Sequence, residues 1–117
     1  METTDLILHL AGPGAQPFPD LAAALRVAAN ARAELPGVRL EVVVQGPVVA
    51  QLAGDAHNAA EASALAAEDG VTITACRNSL RSAGIDEASL AAGVAVVPAA
   101  VAHLARRQFN GAAYIRI

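Results

Sequence analysis

Apolar residues fall in short runs separated by glycine, proline and acidic breaks, and the runs alternate between two periods. Thr4 to Leu10 reads Thr-Asp-Leu-Ile-Leu-His-Leu and has the apolar centre of a buried strand. Ala11 to Pro17 is dense in glycine and proline and must be loop. Pro19-Asp20 then opens a helix through Glu34, in which Asp20 can accept from the free amides of the first turn. Leu21, Ala24, Leu25, Ala28 and Ala31 share one face at spacings of three and four, while Arg26, Asn30 and Glu34 face outward. Pro36-Gly37 stops that helix.

The pattern repeats with a second strand, Val38 to Gln45, alternating at first and continuously apolar later. Gly46-Pro47 breaks it, and Val48 to Leu52 predicts a short helical turn. Asp55 is placed to cap a helix from His57 to Glu68, with Ala59, Ala62, Leu65 and Ala66 inward and Gly70 at its end. Val71 to Ala75 is a β-branched third strand that runs directly into Cys76-Arg77-Asn78-Ser79-Leu80. A short helix is expected over Leu80 to Ala83, with Ser79 as its cap, followed by a single turn from Asp86 to Ala92 anchored by Leu90. Val94 to Val97 is a fourth strand ended by Pro98, which suits the first turn of a helix running from Ala99 to Phe109. Val101, Leu104, Ala105 and Phe109 are expected to face inward there, and Ala113 to Ile117 forms a last strand. Helical stretches separate all the strands, so the chain is expected to be one α/β domain over residues 1–117 with a mainly parallel five-stranded sheet.

Composition narrows what such a domain does. Hydrophobic residues make up 55% of 117, but aromatics only 3%, so alanine supplies much of the core and buries little area per residue. Help from self-association is therefore expected. The net charge is −3, the basic residues are scattered apart from Arg106-Arg107, and few aromatics are present for base stacking, which argues against nucleic acid. The acidic start, Met1-Glu2-Thr3-Thr4-Asp5, is unlike a secretory signal, and no apolar run is long enough for a membrane span. With a single cysteine, an internal disulfide and a thiolate metal cluster are both excluded, and a reducing, cytoplasmic setting is expected.

In an open parallel sheet, sites gather beyond the C-terminal ends of the strands. Ala11 to Pro19, Gln45-Gly46-Pro47, Cys76 to Ser79 and the turn from Pro98 to Val101 all reach that edge. Cys76 is the leading candidate, because a thiolate at a strand-to-helix turn gains from unpaired helix amides and from a cation such as Arg77. A buried, inert core cysteine fits the same position. Gly12-Pro13-Gly14 is not a phosphate loop: no Gly-Lys-Ser/Thr follows, and Pro17 stands where a third glycine belongs. His9, His57 and His103 lack ligand spacing, so neither a metal nor a cofactor is expected. His9 is expected to be packed or hydrogen-bonded within its strand, with a pairing to Cys76 as the alternative, and His103 to lie on the polar face of the last helix.

The ordered set Cys76-Arg77-Asn78-Ser79-Leu80, Gly84-Ile85, Leu90, Gly93-Val94 and Val97-Pro98 resembles the C-terminal half of DsrE/DsrF-like proteins. The ending Gln108-Phe109-Asn110-Gly111-Ala112-Ala113-Tyr114-Ile115 is similar to their closing Gln-x-x-Gly-x-x-Tyr-Ile segment, and Gly46-Pro47 matches in character. The resemblance implies a three-layer α/β/α sandwich of flavodoxin-like or related topology, assembled into trimers or hexamers. It implies a persulfide relay in which Cys76 carries sulfur between donor and acceptor proteins, supported by Arg77, Asn78 and Ser79. Gln45, Gly46, Pro47 and Pro98 would border the pocket, with Gln45 standing where many relatives carry a histidine. The rival reading is a non-catalytic oligomeric scaffold or small-molecule-binding protein in which Cys76 only packs.

Overall fold

A computed structural model describes residues 4–117; the part of the acidic start at residues 1–3 lies outside them. Five strands form one parallel sheet: β1 (Asp5–Ala11), β2 (Arg39–Gln45), β3 (Val71–Cys76), β4 (Ala95–Val97) and β5 (Ala113–Arg116). Four α-helices connect them: α1 (Leu21–Glu34), α2 (Ala59–Ala66), α3 (Arg77–Ala83) and α4 (Ala100–Phe109). Short 3-10 turns cover Pro47–Leu52 and Glu87–Ser89. None of the described helices is long and apolar enough to cross a membrane.

The strand order is β4-β3-β2-β1-β5. The chain steps in one direction from β1 to β4, so right-handed crossovers place α1, α2 and α3 on one face. It then returns past the whole sheet to pair β5 with β1, and the same handedness puts α4 on the other face. The result is an α/β/α sandwich related to the flavodoxin type.

The two faces differ in chemistry. On the three-helix face, Leu6, Leu8, Leu10, Val42, Val44 and Ile73 meet Leu21, Leu25, Leu65 and Leu80 in the main core. On the α4 face the apolar cluster is small: Ile7, Val43, Cys76, Ala100 and Leu104. The buried polar residues, His9, Glu41 and Thr74, also lie there, because Ile7 is in register with Glu41, His9 with Val43, and Val43 with Thr74. Strand side chains alternate between faces, so a polar residue inside an apolar run marks the α4 side.

Asp20 caps α1 through Ala23 N–H at 2.9 Å, and the apolar face of that helix is buried as its spacing predicts. Several expectations need correction. The second helix begins at Ala59 after Asn58, so neither Asp55 nor His57 starts it. The third begins at Arg77, three residues before the predicted Leu80, so Arg77, Asn78 and Ser79 form its first turn instead of a loop. Ser79 does not cap it. Pro98 precedes α4 without joining its first turn. Val101 and Phe109, expected inward, are 68% and 84% exposed. The side of α4 facing the sheet carries Ala100, His103, Leu104 and Arg107, since His103 and Arg107 both reach the buried Glu41.

Candidate functional site

The connections from β3 and β4, which are adjacent strands, leave for opposite faces of the sheet. A crevice opens between such connections, at the C-terminal ends of the strands. Here it is a cleft of about 640 Å³ bordered by Gln45, Gly46 and Pro47 at the end of β2, by Cys76, Asn78 and Ser79 at the start of α3, and by Ala99 to Val101 at the start of α4. Cys76 is the last residue of β3 and the cap position of α3; the strand runs one residue beyond the Ala75 limit expected from sequence and so includes it.

The sulfur lies on the floor of this cleft. Cys76 is only 3% exposed and belongs to one buried cluster with Ile7, Val43, Ala100 and Leu104. Burial raises the thiol pKa, but the Ser79 hydroxyl and the backbone N–H groups of Ser79, Ala100 and Asn78 outweigh it, and the net shift is downward. The side chain makes no capping hydrogen bond to its own helix; the surrounding donors act on the charged form. Two helix starts, from opposite faces, thus converge on one sulfur. Ser79 is fixed by its other interaction: its Oγ accepts the Gly46 N–H at 2.8 Å, leaving the hydroxyl proton free to donate to Cys76.

Gly46 is packed closely against the backbone of Gly12. It takes φ +82° and ψ −169°, and a Cβ there would lie 3.2 Å from the backbone nitrogen of Gly12. Only glycine occupies that backbone region without strain.

Arg77 does not serve the thiolate. Its guanidinium is bound to Glu87 through bonds of 2.6 and 3.2 Å, outside the residues lining the cleft. Pro98 also lies outside the lining, which its neighbours Ala99, Ala100 and Val101 supply instead. Gln45, Gly46, Pro47, Asn78 and Ser79 all border the cleft. Ser82 and Ala83, one helical turn further along α3, complete the wall and were not singled out from sequence.

His9 is buried, as its place in the first strand predicts, and bonded on both ring nitrogens. The Tyr114 hydroxyl lies 2.6 Å from Nδ1, and Nε2 lies 2.9 Å from Gln45 Oε1. Since Oε1 only accepts, Nε2 carries the proton and Nδ1 accepts from Tyr114. Burial holds the His9 pKa below its ordinary value; the Gln45 bond opposes this, and the Arg116 charge adds to the lowering. The imidazole therefore stays neutral around pH 7 and contacts the cleft through Gln45. Sequence alone could not reveal this chain, which joins residues 36 and 105 positions apart.

At the other end of the α4 face, Glu41 accepts from Thr74 Oγ1 at 2.6 Å, His103 Nε2 at 2.8 Å and Arg107 Nε at 3.1 Å. Arg107 also reaches Asp5, whose carboxyl is held below the usual range mainly by its bond to Arg39. The cluster is internally paired and binds α4 to the sheet. Among the described residues no group of His, Cys, Asp or Glu side chains is arranged to hold a metal ion.

The model of the DsrE/DsrF-like family matches residues 7–117. Among solved structures, a protein of unknown function from Methanobacterium thermoautotrophicum is 34% identical, with 97% of this chain and 98% of that chain covered and a TM-score of 0.84. The ychN protein from E. coli shares the fold at 19% identity, with 100% of each chain covered and a TM-score of 0.75. No curated protein matches the chain.

Proposed function

The chain belongs to the DsrE/DsrF-like family, and on that premise we propose that it is a sulfur carrier that holds a persulfide on Cys76. The observation that carries this reading is the place of Cys76 where the starts of α3 and α4 meet, on the floor of a cleft wide enough for a second thiol, with Ser79 beside it held by the Gly46 N–H. A lowered thiol pKa at the floor of an open cleft suits nucleophilic sulfur chemistry better than inert packing.

In the loading step the Cys76 thiolate attacks the outer sulfur of a donor persulfide, R–S–SH. A bond forms between Sγ and that sulfur as the donor S–S bond breaks. The donor's inner sulfur leaves with the electron pair as RS⁻. The products are Cys76–S–SH and a donor thiolate, with no net oxidation. Unloading is the same exchange, with an acceptor thiolate attacking the outer sulfur and Cys76 leaving as thiolate. One cysteine is enough, because donor and acceptor proteins supply the others.

The carrier works as a homo-oligomer, with the trimer or hexamer of its family as the expected form. Val101, on the lip of the cleft, and Phe109, at the far end of α4, are 68% and 84% exposed, and Ile115 on β5 is 53% exposed; large apolar side chains left in solvent support a subunit contact. The onward step tests the reading. Cys76 loaded with sulfur and offered a small acceptor thiol should return to its unmodified mass while the acceptor gains the sulfur. A Cys76 that, once loaded, gives its sulfur to no thiol would overturn the carrier role.

A further inference from the structure

We propose that the Gln45 carboxamide is a fixed hydrogen-bond donor for the negatively charged terminal group of the sulfur species bound at Cys76, aimed by His9 and Tyr114. This deepens the carrier reading and rests on it for the identity of the ligand. The donor itself rests on geometry alone.

A glutamine amide ordinarily presents either end to its surroundings. At Gln45 the choice is made from behind. Oε1 accepts from His9 Nε2–H at 2.9 Å, and Nδ1 of the same ring accepts the Tyr114 hydroxyl at 2.6 Å. Because Oε1 can only accept, the ring proton sits on Nε2, the Tyr114 hydroxyl donates to Nδ1 and supports that tautomer, and the NH2 end of Gln45 is left over. That NH2 makes no hydrogen bond among the described residues and is not sealed in the interior, while Gln45 borders the Cys76 cleft. His9, the ring that links Tyr114 to Gln45, is 7% exposed and so shielded from water.

The rest of the lining specifies the class of ligand. Among the described residues no carboxylate and no cation borders the cleft; the polar groups are Gln45, Asn78, Ser79 and Ser82, set among Pro47, Ala83, Ala99 and Val101. Strongly hydrated anions such as phosphate are commonly held by arginine or lysine. A neutral donor among apolar side chains suits a soft, weakly hydrated anion, and a persulfide's outer sulfur is one. Gln45 is then a positioning residue for the bound sulfur, and His9 and Tyr114 act through it.

The test compares two alkylating reagents on the folded chain, anionic iodoacetate and neutral iodoacetamide. Both react with the same thiolate, so the ratio of their rates cancels any change in thiol pKa or thiolate access and reads only the preference for negative charge in the cleft. Gln45→Met keeps the length and removes the donor; its iodoacetate-to-iodoacetamide ratio should fall roughly tenfold, as expected for losing a hydrogen bond to a charged group. Gln45→Glu should fall further, and Tyr114→Phe, which removes the hydroxyl supporting that tautomer, should lie between wild type and Gln45→Met. A ratio unchanged in both Gln45 variants overturns the proposal. If wild type then still takes sulfur from a persulfide donor, the carrier reading survives without Gln45. If the ratio falls as expected but wild type takes up no sulfur, Gln45 is the proposed donor in a cleft that serves another anion.

Discussion

Ser79 shows how much one hydroxyl contributes at this site. Its oxygen holds Gly46 and its hydroxyl lowers the Cys76 thiol pKa, so Ser79→Ala acts twice. It should raise the pH midpoint of Cys76 alkylation, and it should cost about 1 kcal/mol by leaving the Gly46 N–H without its acceptor. In wild type the midpoint should lie below that of an ordinary thiol; a midpoint that does not move in Ser79→Ala would contradict the donor arrangement. The same shift has a sign for stability. A depressed thiol pKa stabilises the fold fully above the ordinary thiol value, and the contribution is lost as pH falls through the lowered one. Cys76 could be singled out in the sequence because a strand running straight into a helix is visible in residue pattern. The role of Ser79 was not legible, because serine before a presumed helix start reads as a cap, and its actual partner Gly46 is 33 residues away.

Among the elements, α4 departs most from its sequence pattern. Val101, Leu104, Ala105 and Phe109 form a plausible apolar stripe, but the helix turns a mixed face to the sheet. The reason is Glu41, which strand alternation buries on that side and which His103 and Arg107 satisfy. A carboxylate inside Leu40-Glu41-Val42 carried the signal, but its partners lie 62 and 66 positions away and have no local signature. The cluster also serves the site, since α4 brings the Ala100 amide to Cys76. Glu41→Ala should destabilise the fold by about 2 kcal/mol. That is less than the loss for breaking a fully buried pair, because Arg107 keeps Asp5 and is partly exposed. Denaturant unfolding measures it, and a loss near zero would show that the cluster is not holding α4 to the sheet.

For the whole molecule, the parallel sheet and its strand-helix alternation were readable from periodicity, because buried strands and amphipathic helices announce themselves locally. The strand order was not, since β5 pairs with β1 from the far end of the chain. That return leaves one helix on the second face and large apolar side chains at its margin. Light scattering over a dilution series should show an assembly in wild type, and Phe109→Ser should weaken it while changing monomer stability by no more than about 0.5 kcal/mol. Wild type that is monomeric at every concentration would remove the subunit contact from the account.

The central claim is that Cys76 takes up sulfur in the folded protein. Incubation with a small persulfide donor, followed by mass spectrometry of the intact chain and its Cys76 peptide, tests it directly. The account predicts a gain of one sulfur atom, located at Cys76, removed by reductant and missing in Cys76→Ser. An unchanged mass in the folded wild type, with uptake only after unfolding, would make Cys76 a packing residue and contradict the account.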